Sequence, residues 1–342
     1  MYCNIYFYFI KAIHLVDHAV IIAVGDPNHK SRLTHQRVHA MLPALGKPLV
    51  SRIMSRLYRA GIRNYTVIVG ENDGAVASYL NTSWAPDIHI EFKLMAGRLS
   101  LPKILKGIAT EYNAPFIVSN YNSFTQINFI GTLLKHYHDF PDSLILTASS
   151  RTSSTSGSPN RNAFVRDSQV IQFANGGDPA LTDELSICTL AELGICGTNI
   201  INFFKDLPDE QHSRDFTLRF MDMAREYISN NGQNVIAETS WLLQVETDTD
   251  LLTLNRRLLD EGHDAHILSE IPTSVQIVEP VRIDPQVSIG NHAHIGPHVY
   301  LERGSSIGQG ASLSNVIALE KANIPANERF KDTIFTNRGA VL

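Results

Sequence analysis

The chain has 342 residues, 44% of them apolar, a formal net charge of −5 and a sequence pI near 6.3. Because this length exceeds one ordinary domain and the apolar fraction can bury a sizeable core, we expect two domains. The weakly acidic charge, without any block of like charges, argues against nucleic acid and against a membrane surface as partners.

Residues 1–16 form an apolar and aromatic stretch that Lys11 interrupts. This stretch is too short to span a bilayer as one helix, and it lacks the basic start and small-residue cleavage site of a secretory signal. We therefore interpret it as an N-terminal extension.

The first regular pattern runs from Asp17 to Gly70. Ala19–Ala23 is a short apolar run that ends near Gly25, as expected of a buried strand. A helix follows whose apolar side is formed by Val50, Ile53, Met54 and Leu57. It stops at Gly61, and Tyr65–Val69 reads as a second buried strand. This strand–helix–strand order predicts a parallel sheet.

The same alternation continues to about Gly262 and predicts an α/β architecture. The further strands are predicted at Ile88–Phe92, Phe116–Ser119, Ser143–Thr147 and Gln169–Phe173, and the helices at Leu101–Tyr112 and Ile127–His138. Ser149–Asn162 is almost entirely small and polar, which is typical of a loop, and a lid over a ligand is the functional alternative.

Three cysteines, Cys3, Cys188 and Cys196, are spread over the chain. They are too few and too oddly placed for a disulfide framework or a zinc knuckle. We therefore expect buried or idle thiols in a reducing, cytoplasmic setting.

After about Ile271 the sequence repeats with a period of six. The repeated units are Val281–Ile283, Val287–Ile289, Ala293–Ile295, Val299–Leu301, Ser305–Ile307 and Ala311–Leu313, with glycine at positions 290, 296 and 308. A unit of six residues cannot bury its apolar face alone, so successive units must stack. Hexapeptide repeats of this kind predict a parallel β-helix.

Two regions resemble the sugar-1-phosphate nucleotidyltransferase family. The run Leu42-Pro43-Ala44-Leu45-Gly46-Lys47-Pro48 is similar to the family's Leu-Pro-x-x-Gly-Lys-Pro stretch, and Ser31-Arg32-Leu33 falls on its Thr-Arg-Met segment. The hexapeptide tail resembles the module that some members carry. The resemblance implies a Rossmann-like nucleotidyltransferase domain over residues 17–262, with a mixed, mainly parallel sheet, followed by a short left-handed β-helix over 271–342.

The family's reaction joins a nucleoside triphosphate to a sugar 1-phosphate, releases pyrophosphate and uses Mg2+. By resemblance, Gly25, Ser31, Arg32 and Gly97 take nucleotide-binding positions. Arg32 and His39 take catalytic positions, although His39 stands where the family has a lysine, and it carries a positive charge only when protonated.

The family's magnesium-binding acids correspond here to Asn122 and Gln244, with Glu246 as the alternative in a register shifted by two. An amide is a much poorer Mg2+ ligand than a carboxylate. The acidic run Glu246, Asp248 and Asp250 has another explanation, because acidic residues at the start of a helix complement its dipole.

The departures from the family fall together on the phosphate chemistry. The loop after Gly25 carries Asp26-Pro27-Asn28-His29-Lys30 in place of a second glycine, and the lysine and both metal acids are replaced. We therefore expect a weakened or inactive nucleotidyltransferase.

Two alternatives remain open. The first is a non-catalytic regulatory or scaffolding subunit that pairs with itself or with an active relative. The second is a hexapeptide-repeat acyltransferase with a histidine base among His292, His294 and His298. Surface histidines at the corners of the repeat explain these three residues more simply.

Overall fold

The computed structural model describes residues 16–25, 31–35, 37–85, 87–96, 99–150, 161–174, 185–208, 219–262 and 264–342. These residues form two compact units. The first unit contains residues up to 25 and from 53 to 244, and the second contains residues 31–52 and 245–342. The predicted loop at Ser149–Asn162 lies mostly outside the described residues, as do Gly97 and nearly all of the N-terminal extension.

Strands and helices alternate along the described chain up to residue 260, and mostly short strands follow. The strands are β1 (His18–Ala23), β2 (Pro43–Ala44), β3 (Lys47–Pro48), β4 (Asn64–Gly70), β5 (His89–Met95), β6 (Phe116–Asn120), β7 (Ser123–Thr125), β8 (Leu144–Ser149), β9 (Asn162–Arg166), β10 (Gln169–Phe173), β11 (Ser186–Cys196), β12 (Asn234–Glu238), β13 (Leu242–Gln244), β14 (Gln276–Ile277), β15 (Val281–Ile283), β16 (Ser288–Ile289), β17 (His294–Ile295), β18 (Val299–Leu301), β19 (Ser306–Ile307), β20 (Ser312–Ala318), β21 (Asn323–Ile324), β22 (Arg329–Thr336) and β23 (Gly339–Ala340). The α-helices are α1 (Leu49–Arg59), α2 (Gly74–Ser83), α3 (Leu101–Tyr112), α4 (Phe129–Asp139), α5 (Thr198–Asp206), α6 (Phe220–Ser229) and α7 (Asp248–Asp260).

The first unit is built on a large mixed sheet. Its strands follow the order β10-β9-β11-β6-β1-β4-β5, and β8 connects β11 to β12. β1 runs parallel to both β4 and β6, and β4 runs parallel to β5, whereas β11 is antiparallel to β6. The mixed α/β architecture with parallel strands that the sequence predicts is therefore confirmed.

The central strands are buried along their length because helices and further strands cover them. Every residue of β1 is buried, and the middle five residues of β4 are buried as well. α3 packs one apolar side into this core through Leu101, Ile104, Leu105 and Ile108. Their spacing of three and four residues places them on one face of the helix. Asn113, the residue that follows α3, has a φ of 44°, which lies in the left-handed region that commonly terminates helices.

The order in which the parallel strands follow one another reverses direction beside β1, which makes this place a topological switch point of the sheet. From β1 the parallel strands continue through β4 to β5 on one side, while β6 lies on the other side. In sheets of this kind the ligand crevice lies at the carboxyl ends of the strands where the order reverses. A site is therefore expected among the residues that follow β1, β4 and β6.

The second unit contains the hairpin β2–β3, which is formed by the Leu42–Pro48 motif. The two turn residues, Leu45 and Gly46, have φ angles of 48° and 76°, as a type I′ turn requires. Arg52 holds this turn by donating from Nε to the carbonyl of Ala44 at 2.6 Å and from Nη2 to that of Leu45 at 2.7 Å. The same guanidinium pairs with Asp264 at 2.5 Å.

The rest of the second unit consists of α7 and stacked short strands. Gln276 pairs in parallel with His294, and Ser288 with Ser306, each at an offset of 18 residues, or three units of the six-residue repeat. The first and third residues of every predicted repeat unit are buried. Among the helices in the described part of the chain, none is long and apolar enough to cross a membrane.

Candidate functional site

The two amide residues at the predicted metal positions lie together in the first unit. β7 and β13 form a short antiparallel pair in which Gln244 lies opposite Ser123. Gln244 Nε2 donates to Asn122 Oδ1 at 2.8 Å, and Ser123 Oγ donates to Gln244 Oε1 at 2.7 Å. All three side chains are at most 4% exposed. The local strand pairing thus closes a buried, neutral chain of hydrogen bonds.

This arrangement does not fit a magnesium ion. Mg2+ is a hard cation that prefers carboxylate oxygens and water in octahedral geometry. Here Asn122 Oδ1 and Gln244 Oε1 are neutral, and each already accepts a hydrogen bond from a neighbouring side chain. Within the described ranges, no group of three or more His, Cys, Asp and Glu side chains is placed to hold a metal ion. No catalytic step through Mg2+ follows from these residues.

A buried carboxylate lies at the end of β6, and the sequence reasoning missed it. Asn120, the last residue of β6, donates from Nδ2 to Oε2 of Glu192 at 2.5 Å. Glu192 is 2% exposed and lies where the pairing of β11 with β8 shifts register. A bulge of this kind redirects a side chain, and it is a recurring feature near binding sites. The only sequence signal was a lone glutamate in an otherwise apolar run.

A second missed carboxylate lies at the carboxyl end of β1. The backbone N–H of Gly25, a predicted nucleotide-binding residue, donates to Asp73 Oδ2 at 2.9 Å. The N–H of Gly70, at the end of β4, donates to the same oxygen at 3.1 Å. Asp73 is 5% exposed. The backbone N–H of Gly25 is therefore directed at a carboxylate of the chain itself.

Two further predicted nucleotide-binding residues, Ser31 and Arg32, lie in the second unit and contact Asp248. Ser31 Oγ donates to Asp248 Oδ1 at 2.6 Å, and the backbone N–H of Arg32 donates to Asp248 Oδ2 at 3.2 Å. Asp248 is the first residue of α7, where a negative charge complements the helix dipole. The Arg32 side chain is exposed and contacts the carbonyl of Val341 at 3.4 Å. Ser31 and Arg32 are thus brought together at the start of a helix.

His39 is 4% exposed and is the first residue of a short 3-10 turn, His39–Met41. Its carbonyl accepts the N–H of Leu42 at 3.0 Å, which leads the chain into the β2–β3 hairpin. This places the predicted catalytic histidine in a buried connection of the second unit.

Glu246 is half-buried, and its backbone N–H donates to Asp250 Oδ2 at 3.1 Å. Asp250 is fully buried and forms a capping box with Thr247, whose side chain accepts the N–H of Asp250. Asp248 and Asp250 therefore act at the start of α7, as the helix-start interpretation of this acidic run expects.

The repeat histidines differ in position, because His294 lies in β17 whereas His292 and His298 lie in turns between strands. His292 and His298 both have a φ of 60°, and His292 and His294 are exposed. His298 Nε2 lies 2.7 Å from Asp260 Oδ1, which is a surface pair. These contacts do not collect the three histidines around one reacting position.

No protein-family model matches the sequence, and a search of curated proteins finds no match. Among solved structures, the fold is similar to that of a Bacillus anthracis protein assigned as a glucose-1-phosphate thymidylyltransferase and crystallised in complex with sucrose. The sequences are 15% identical, the TM-score is 0.57, and the match covers 70% of this chain and 93% of the other. At this identity the comparison establishes a shared fold, which is the mixed α/β fold described above.

Proposed function

We propose that this chain is a sugar-nucleotidyltransferase-like protein, related by fold to NDP-sugar synthesis, whose Mg2+-dependent transfer is weakened or lost. The observation that carries this proposal is the hydrogen bond from Gln244 Nε2 to Asn122 Oδ1. A pair of neutral amides bound to each other supplies neither the charge nor the free oxygens that a bridging Mg2+ needs. Nucleotidyl transfer without that charge loses the main means of stabilising its transition state.

The contacts of the loop residues support the same proposal. Gly25 and Ser31, at the predicted nucleotide-binding positions, are bonded to Asp73 and Asp248 within their own units. At each of the two positions, a phosphate group would have to compete with the carboxylate for its donor and would be repelled by the charge of that carboxylate. Binding of the triphosphate is therefore weakened together with the chemistry.

The second unit supports a role that does not depend on turnover. In this proposal residues 271–342 form a short left-handed parallel β-helix, an interpretation that the parallel pairing at an offset of 18 residues favours. The Leu42–Pro48 motif keeps its hairpin, and Arg52 holds the turn. A retained framework with altered chemical positions is what a cytoplasmic regulatory or scaffolding subunit needs, in a homo-oligomer or beside an active relative.

Pyrophosphate exchange tests the proposal. The purified chain is incubated with Mg2+, labelled pyrophosphate, each nucleoside triphosphate and a panel of sugar 1-phosphates. We expect exchange at least about a hundredfold slower than an active thymidylyltransferase measured alongside, since one lost electrostatic contact in an active site costs about a hundredfold to a thousandfold. Exchange at a rate comparable to the active enzyme would overturn the proposal.

A matched variant guards against trace contamination by a host enzyme. Asn122→Ala removes the acceptor of the Gln244 amide but leaves Ser123 and the β7–β13 pair in place. If the chain itself catalyses any residual exchange through this position, the variant changes the rate. A rate identical in both proteins shows that the residual exchange does not depend on Asn122.

A further inference from the structure

The carboxylate of Asp73 is placed over the ends of two neighbouring parallel strands. Its Oδ2 accepts the N–H of Gly25 beyond β1 at 2.9 Å and the N–H of Gly70 at the end of β4 at 3.1 Å. β1 and β4 are adjacent in the sheet, so both donors point to one position at its carboxyl edge. Two N–H groups converging on one oxygen are the typical arrangement of an anion-binding position.

The side chain of Asp73 does not make the hydrogen bond that is usual for an aspartate at the start of a helix. It is the N-cap residue of α2, where an aspartate commonly accepts an N–H of the first helical turn. Its side chain makes no such capping bond, and only its backbone carbonyl accepts the N–H of Val76, at 2.9 Å. The charged group is directed back to the strand ends instead. Its position therefore depends on Gly25 and Gly70.

The close approach also depends on the two glycines. A Cβ atom at position 70 would lie 2.8 Å from Asp73 Oδ2, and one at position 25 would lie 3.3 Å from Oδ1. A side chain at position 70 would thus displace the carboxylate. The two glycines and Asp73 form a tight set in which the carboxylate, 5% exposed, fills the space at the donors.

We propose that Asp73 acts as a built-in anion, occupying the position where the Gly25 and Gly70 N–H groups would otherwise bind a phosphate group and excluding phosphate from it. A carboxylate and a phosphate offer the same kind of charged oxygen acceptor to backbone N–H groups. The two anions cannot share the position, because like charges at contact distance repel. This inference rests on the proposed function and deepens it, because it names the contact that keeps phosphate away from the strand ends, whereas the loss of Mg2+-dependent transfer is argued from Asn122 and Gln244.

The experiment measures binding of inorganic tripolyphosphate to the full chain by calorimetry, without Mg2+ and without sugar. Asp73→Ala removes the carboxylate and frees both donors. Glu71→Ala is the matched control, because Glu71 is exposed and lies in the same turn, and its replacement removes the same charge. We expect Asp73→Ala to bind at least about tenfold more tightly than wild type, and Glu71→Ala to stay within about twofold of it.

Equal affinity of the Asp73→Ala and Glu71→Ala variants would overturn the proposal. If Asp73→Ala fails to fold, a measurement on the wild-type chain still tests the proposal. The backbone amide resonances of Gly25 and Gly70 should not move when tripolyphosphate is added to wild type, and movement of both would show that Asp73 does not exclude the anion. Neither of these two binding tests contains Mg2+ or a sugar phosphate. Failure of the Asp73 proposal can therefore be told apart from failure of the pyrophosphate-exchange prediction.

Discussion

Gln244 and Asn122 are joined by a 2.8 Å hydrogen bond from Nε2 to Oδ1, and they come from segments 122 residues apart in the chain. Ser123 Oγ extends this contact by donating to Gln244 Oε1. The buried amide pair therefore cross-links the β6–β7 turn to β13 without any charge. By resemblance to the nucleotidyltransferases, Asn122 and Gln244 stand at the two positions where that family has the acids that bind Mg2+.

Replacing Gly46 tests the hairpin of the Leu42–Pro48 motif. Gly46 has a φ of 76°, and a Cβ atom there would lie 2.5 Å from Nη2 of Arg282. Arg282 cannot move away freely, since its Nε donates to Asp284 at 2.8 Å. We expect Gly46→Ala to lower the free energy of unfolding by about 2–3 kcal/mol, from left-handed strain plus the displaced arginine. Chemical denaturation measures this change.

Gly262 provides the control for Gly46→Ala. It has a similar φ of 77°, but a Cβ atom there would meet nothing within 4 Å. Gly262→Ala should therefore cost only the backbone strain, about 1 kcal/mol. Equal destabilisation by the two substitutions would show that crowding against Arg282 contributes nothing.

Ser31→Ala tests whether Ser31 serves the fold rather than a nucleotide. Its hydroxyl donates to Asp248 at 2.6 Å and accepts the N–H of Leu33 at 3.1 Å. Removing a donor from a buried carboxylate should cost about 1–3 kcal/mol of unfolding free energy. Thr249→Ala, at the exposed next residue of α7, should leave stability nearly unchanged. A Ser31→Ala variant as stable as wild type would contradict the assignment.

Asp264 gives the second unit a defined response to pH. Burial of its carboxyl acts to raise the pKa, but the charge and hydrogen bond of Arg52 outweigh it, so the pKa lies below its ordinary value. A lowered pKa in the folded state stabilises the fold above the unfolded-state pKa, about 3.9, and this contribution is lost as the pH falls through the folded-state pKa. Asp264→Asn should therefore be less stable than wild type by about 1–2 kcal/mol at pH 7.

The difference between wild type and Asp264→Asn should shrink when denaturation is repeated near pH 3, because below its ordinary pKa the Asp264 carboxyl is protonated in the unfolded chain and the unfolded state is favoured. Glu328→Gln, at an exposed position of the same unit, is the control and should show little difference at either pH. A destabilisation by Asp264→Asn that is the same at both values of pH would contradict the role of the charge.

The sequence predicted the regular elements where apolar periodicity was strong. The helix at Leu101–Tyr112 and the strand at Gln169–Phe173 agree with the structure at both ends. α2 was missed because only Val76 and Leu80 of its apolar residues are buried, which leaves almost no periodic signal. β11 was missed because its eleven residues mix apolar and small polar side chains without strict alternation.

The sequence identified several residues of the candidate site, but it did not show which residues they contact. Asn122 and Gln244 were both identified, and the structure brings them into contact. Asp73 was not identified, and Asp248 was predicted only as a helix-start residue, because their hydrogen-bond partners Gly25 and Ser31 lie 48 and 217 residues away in the chain. A motif shows which residue types are present, whereas such pairs depend on how distant segments are folded together.

Divalent-cation binding tests directly the proposal that the amide pair stands in place of a metal site, with Mn2+ as the probe for Mg2+ and with detection by electron paramagnetic resonance. Asn122→Asp combined with Gln244→Asp places carboxylates where the amides now bind each other. We predict that this double variant binds one Mn2+ at least about tenfold more tightly than wild type, because carboxylates are far better ligands for hard cations. Wild-type binding as tight as that of the double variant, and lost in Asn122→Ala, would contradict the conclusion that the amide pair has replaced the metal site.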